Sequence, residues 1–206
     1  MDKLIIIGAG GHGRVVADTV KRGGVYEQIA FLDDVAPAKS FPYTYLGKIE
    51  EFTQYADTYD VFVAIGNNQI RRKITEKLKK NSAKFATIID PSAIIGSDVS
   101  AGAGSVILSR AVVNTGSRIG EGVIINTASV LDHDCKVGDF CHIAVGGCLG
   151  GAVHVGDNTW IDAGVAVKTH VHICRDCKIE VGSAVNCDLE EPGTYCGIYA
   201  KKKDCL

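Results

Sequence analysis

The sequence predicts a small parallel α/β unit followed by a long parallel β-helix, and two observations carry that reading. Residues 1–90 alternate short apolar runs with amphipathic helical segments, whereas from Ala93 onward an aliphatic residue returns at every sixth position without a slip. Pro91 marks the change, so the units are expected at 1–90 and 91–206.

In the first unit LIIIG reads as a buried strand and GHGRVVADTVKRGG as a helix with an apolar face, followed by the strand IAFLDD. VFVAIG is the next strand, NQIRRKITEKLKKN the next helix and FATII a last strand. Strands alternating with helices predict a parallel sheet, and the length suits one half of a doubly wound fold, a half-Rossmann unit. Gly8, Gly10 and Gly13 have the spacing G-x-G-x-x-G between the first strand and its helix, and Asp33 and Asp34 end the second strand. Glycines there let backbone N–H groups approach a phosphate at a helix N-terminus. Three readings follow: hydride transfer with NAD, a nucleotide or nucleotide-sugar site, or a purely structural turn. The unit is short for a full dinucleotide fold, so a nucleoside-diphosphate ligand suits it best.

The second unit can be written in sixes from Ala93. The third position of the blocks runs Ile95, Ala101, Ile107, Val113 and onward to Ile179 and Val185, and fifteen of the sixteen are Ile, Val or Leu. An inward aliphatic followed by a tight corner, three times over, closes a coil of eighteen residues. Such coils stack at about 4.8 Å as parallel strands. The residue after each aliphatic is often Gly (96, 102, 120, 138, 150, 156), Asn or Asp. Positive φ is expected at those positions. First positions such as Ser105, Ser117, Cys135 and Thr159 are small or β-branched, as an inward corner requires.

Second positions point outward in three columns. Ile94, Val112, Val130, Cys148, Ala166 and Ala184 form an apolar column, while Ser100, Arg118, Lys136, His154 and His172 form a polar one. The third runs Val106, Ile124, His142, Trp160, Lys178 and begins apolar. Apolar outer faces on a filled coil imply partner surfaces, and two of them suit a closed cyclic assembly. His133, followed by Asp134, sits at the corner ending the first column. An imidazole beside a carboxylate is a candidate general base, against the plainer reading of a solvated turn. His154 and His172 stack and could hold a metal, but a wet column explains them as well. Cys174-x-x-Cys177 has no second CxxC to complete a zinc site, so no metal is expected.

Bulk properties narrow the class. A net charge of -2 gives no reason to expect nucleic acid as partner, and no run of about 18 apolar residues predicts a membrane span. The start, MDKLIIIGAG, lacks the pattern of a secretory signal, so the eight cysteines are expected reduced and the protein cytoplasmic.

The order GAGGHG, FLDD, AIGNNQIRRK and NTASVLDHDCKVGDFCHIAVG resembles the sialic-acid O-acetyltransferase family of hexapeptide-repeat transferases. That family includes N-acetyltransferases for nucleotide-linked amino-deoxy sugars of the bacillosamine and perosamine type. The resemblance covers essentially the whole chain. It implies a left-handed β-helix, a homotrimer, and acetyl-CoA as cosubstrate in the groove between adjacent β-helices. It places the catalytic base on His133 with Asp134 as its tuning acid, and acetyl-CoA contacts on His142, Ala163 and Val181. Nucleotide-sugar contacts fall on Gly10, Gly11, His12, Asp33, Asp34 and Gly66. The implied reaction is N-acetylation of a nucleotide-linked amino sugar, with O-acetylation of a sialic-acid or other sugar hydroxyl as the alternative. Gly151, one coil above His133, is expected to leave room for the thioester and to turn its N–H toward the oxyanion. Tyr199 stands where the family's C-terminal motif has proline.

Overall fold

A computed structural model describes residues 2–197; Tyr199 and the rest of its motif beyond Gly197 lie outside the described residues. The first unit is a four-stranded parallel sheet of β1 (Lys3–Ile7), β2 (Gln28–Leu32), β3 (Thr44–Gly47) and β4 (Asp60–Val63), in the order β3-β2-β1-β4. Helices α1 (Gly11–Gly23) and α2 (Asn68–Lys79) follow β1 and β4. Leu4, Ile5, Ile6 and Ile7 are all fully buried, which explains why β1 reads as an unbroken apolar run: both faces of a parallel sheet are covered. β3 and the 3-10 turn Ile49–Gln54 carry no clear sequence signal, because β3 is a half-exposed edge strand without an apolar run.

FATII does not complete the sheet as expected. Phe85 makes a single bridge to Val61, and Ile88–Ile89 pairs instead with Val106–Ile107 in the coil. The chain leaves one unit and enters the other within that one segment.

Beyond it, short parallel strands stack into three sheets of five, seven and six strands. Partners are eighteen residues apart, as in Val112↔Val130↔Cys148 and Ile124↔His142↔Trp160. Third-position aliphatics form one continuous core with Cys135 and Cys141. Buried hydroxyls at first positions bond the corners: Ser105 Oγ donates to the Gly120 carbonyl at 2.8 Å and accepts from the Val123 N–H at 2.9 Å.

The corner chemistry differs from expectation. Positive φ falls at the sixth position of each block, at every sixth residue from Asp98 to Gly182, including Arg110, Phe140 and His170. The fourth-position glycines have ordinary φ and are needed for another reason. A Cβ at Gly96 would stand 2.5 Å from the Thr115 nitrogen, and one at Gly156 2.5 Å from that of Arg175. Stacking of the next coil, not backbone handedness, excludes side chains there.

The third outer column is not a free face. Val106, Leu108 and Ile124 are fully buried in one cluster with Leu4, Ile6, Val16, Phe31 and Phe62 of the first unit. The chain covers this surface itself, which leaves the Ile94 column as the single open apolar one.

One guanidinium bolts the joint. Arg71, 1% exposed, donates from Nε to the Gly122 carbonyl (2.7 Å) and from Nη1 to those of Ile65 and Gly66 (2.8 and 3.0 Å). Its Nη2 reaches the Phe140 and Cys141 carbonyls (2.9 and 3.1 Å) and Asn68 Oδ1 (2.9 Å). Asn68 Nδ2 in turn donates to the carbonyls of Asn158 and Thr159 at 3.1 and 3.2 Å. Burial lowers the Arg71 pKa to about 10, so it stays charged at neutral pH. Arg71→Met leaves several buried carbonyls without a donor and is expected to cost at least about 3 kcal/mol in urea unfolding. Arg71→Lys should recover little of it, because an ammonium lacks the planar fork. An unchanged unfolding midpoint in Arg71→Met would refute the bolt.

Candidate active site

His133 stands at the corner between the Val130–Leu131 and Lys136–Val137 strands. Its Nδ1 is 2.9 Å from Asp134 Oδ2. With the carboxylate accepting, Nδ1 carries the proton and Nε2 is the basic nitrogen of the neutral ring. Asp134 has φ 59, the left-handed corner conformation, and that turn swings its carboxylate onto the adjacent ring. The backbone is pinned from the other side. Asp132 Oδ1 accepts the His133 N–H at 2.8 Å and the Asn114 amide at 3.0 Å. The bond to Asp134, with the negative charge of Asp132 near it, raises the His133 pKa above its usual value. Asp132 is correspondingly lowered, first by the Asn114 amide.

Two glycines make the slot for this pair. Gly116, one coil before Asp134, has φ 74, and a Cβ there would run into the Asp134 carboxylate. Gly151, one coil after His133, would place a Cβ 2.5 Å from Nε2. The space above His133 therefore belongs to its own imidazole and not, as expected, to the thioester. Nε2 lies against the Gly151 backbone in a corner open to solvent, the side chain of His133 being 52% exposed.

A second cluster lies where the first unit meets the coil. Loops follow the carboxyl ends of β1 and β4, the point where strand order reverses and where open α/β sheets hold ligands. Nothing stands within 4 Å of a Cβ built on Gly10, Gly11 or Gly66, so all three border open space. The tight glycines are the others. Gly13 abuts the Gly8 carbonyl, and Gly8 has φ 103 with a Cβ only 2.7 Å from Ile65 Cδ1. Asp33 holds this turn, its Oδ2 accepting the Ala9 N–H at 2.7 Å and its Oδ1 that of Val35 at 2.9 Å. Asp34 Oδ1 accepts the Ile49 N–H at 3.1 Å.

His12 and His142 face each other across the joint, ring centroids 6.4 Å apart, and Trp160 packs on His142 at 4.5 Å. Burial, with Arg71 next to them, lowers His12 to about 4 and His142 to about 3, so both are neutral at pH 7. The Asn126 amide lies 3.1 Å from His142 Nε2. His12 Nε2, His142 Nδ1 and Trp160 Nε1 are enclosed without a well-formed hydrogen bond.

The structure thus brings His133 and Asp134 together, and separately groups His12, His142 and Gly66. His142 is 6% exposed and faces the joint. Ala163 and Val181 stack at another corner, where the Gly182 N–H donates to the Ala163 carbonyl at 2.8 Å. Reasoning from sequence passed over Arg71, Asn68, Asn126 and the Asn114–Asp132 clamp. The first two were detectable: Asn68, Arg71, Thr75 and Leu78 form the buried stripe of α2, and two polar groups in such a stripe need partners. Among the described residues no three His, Cys, Asp or Glu converge as a metal site.

By NMR titration the His133 midpoint should lie above 6.5 and fall in Asp134→Asn, since the bond that favours the imidazolium is lost. A midpoint unmoved by that change would separate the two residues. Gly151→Ala should shift the His133 ring resonances while the cooperative unfolding is retained.

Residues 3–78 match the family model described as the PglD N-terminal domain. A UDP-N-acetylbacillosamine N-acetyltransferase of Bacillus subtilis (strain 168) is 31% identical over 115 residues, 53% of this chain and 52% of that protein. The chain thus spans about half the length of that curated relative. Among solved structures, the acetyltransferase domain of PglB from Neisseria gonorrhoeae FA1090 is 35% identical with a TM-score of 0.91, covering 96% of this chain and 97% of that one. The same domain is known in complex with acetyl coenzyme A. PerB from Caulobacter crescentus, in complex with CoA and GDP-perosamine, is 32% identical with a TM-score of 0.89 over 97% of this chain and 96% of that one. The two structural matches run through the α/β unit and the left-handed β-helix alike. The chain belongs to the hexapeptide-repeat acetyltransferases of the bacillosamine and perosamine type.

Proposed function

We propose that the protein transfers an acetyl group from acetyl-CoA to the amine of a nucleotide-linked amino-deoxy sugar, with His133 as general base. The observation that carries this is the His133–Asp134 pair at 2.9 Å, set in its two-glycine slot with the imidazole about half exposed. An ammonium has no lone pair for attack on a thioester. Neutral His133 takes one of its protons at Nε2, and Asp134 steadies the imidazolium that results. The freed amine attacks the acetyl carbonyl carbon, the C–S bond breaks, the nitrogen gives up its second proton to solvent, and CoA leaves as the thiol with the proton returned from His133. The Gly151 N–H is the backbone donor proposed for the intermediate's oxyanion. His133 works only when neutral, so kcat/KM should rise with pH through its elevated pKa.

The open space over Gly10, Gly11 and Gly66 holds the nucleotide, with the N-terminus of α1 toward the diphosphate. The relatives bound to GDP-perosamine and named for UDP-N-acetylbacillosamine support this class. Acetyl-CoA lies along the coil, with Ala163 and Val181 as backbone contacts and His142 near its acetyl end.

Assembly follows from the uncovered column. Ile94 is 64% exposed, and Cys148, Ala166 and Ala184 of the same column are exposed as well, which a partner surface would hide. His133 and the nucleotide cleft lie at different corners of the coil, so in a homotrimer the cleft of one copy serves the His133 of its neighbour. No helix of the described residues is long and apolar enough to cross a membrane. The place of action is the cytoplasm, where the free thiols of the described residues persist.

His133→Ala should lower kcat by about 10²–10⁴-fold with the fold intact; a variant keeping a tenth of the activity would remove the base role. Acetyl transfer should be strong with UDP-, GDP- or dTDP-linked amino sugars and weak with the free sugar. Preference for a sialic-acid hydroxyl would favour O-acetylation instead. Val130→Glu puts a charge into the contact and should yield monomers by sedimentation.

A further inference from the structure

The corner from Ile173 to Cys177 brings two thiols together, and neither site above uses them. Cys174 Sγ and Cys177 Sγ are 3.4 Å apart. Cys177 fills an inward first position and is buried, while Cys174, at the fourth position, is partly exposed. Elsewhere in the coil glycine recurs at the fourth position because the next coil's backbone passes there. Here the period has broken. Cys177–Ile179 pairs with Gly193–Tyr195, and the Cys174 N–H donates to Leu189, so the covering chain no longer follows at eighteen residues. A thiol fits at Cys174, and the corner presses it against its neighbour.

We infer that Cys174 and Cys177 form a thiol–disulfide exchange site whose oxidant is a low-molecular-weight disulfide. Cys174, the accessible member, loses its proton and attacks one sulfur of that disulfide, and the other sulfur leaves as a thiol. Cys177 then loses its proton, attacks the Cys174 sulfur and expels the second thiol. Two protein thiols give up two protons and two electrons, and the oxidant becomes two thiols. The two protein sulfurs need only close to about 2.05 Å. Burial raises the Cys177 pKa, as does Cys174 beside it, so closure quickens with pH.

The test treats the reduced full chain with oxidised glutathione under native conditions, quenches with an alkylating reagent and digests with trypsin. Cleavage after Arg175 parts the two cysteines, so their disulfide appears as a linked peptide pair that separates on reduction. The expected result is that pair as the main fate of both residues, and in Cys177→Ser a glutathione retained on Cys174. The inference is overturned if both are recovered alkylated, if wild-type Cys174 keeps its glutathione, or if either is linked elsewhere.

Discussion

Among the described residues no carboxylate answers the charge of Arg71, yet it is fully enclosed, and the relation of the two units depends on it. Desolvating a guanidinium is costly, and only a complete set of acceptors compensates. Those acceptors come from the loop after β4 and from corners of two successive coils. Such carbonyls converge only when α2 docks in one position. The Gly66 carbonyl that borders the proposed nucleotide cleft is among them, so the constraint that joins the units also shapes the site.

The coil supplies the second kind of order. A side chain in it has neighbours eighteen residues before and after, so geometry at one corner is set by the corners above and below. The His133–Asp134 pair shows the consequence: Asn114 and Gly116 lie below it and Gly151 above, and none is adjacent to it in sequence. The general-base reading rests on this frame as much as on the two residues. A histidine and an aspartate at an ordinary corner would be solvated turn residues. Here one hydrogen bond fixes the ring and another the backbone that carries it, and the glycines admit it.

Much of this is legible in the sequence because a period of six is one constraint repeated many times. The register of Ile107, Ile125 and Ile143 fixes which residues stack, and the expected coil was found. The function of the glycines was harder to read. Gly96 and Gly156 resemble positive-φ residues by type, but what excludes a Cβ is the backbone of another coil, which pattern alone does not display. The apolar start of the third column was open to misreading for a related reason. Val106 and Ile124 look equally suited to a second copy and to the chain's own first unit, and only the docking of α1 and β1 decides. Arg71 is hidden by its type, since an arginine in a Lys- and Arg-rich helix reads as solvated until its place in the buried stripe is noticed.

The central claim is that Nε2 of His133 receives the proton of the sugar amine. A crystal structure of the protein with CoA and a nucleotide-linked amino sugar measures this directly. The account predicts the amine nitrogen within about 3.2 Å of His133 Nε2, with the diphosphate over the Gly10–Gly11 turn. A sugar amine held against another base, with His133 Nε2 facing only solvent, would contradict it.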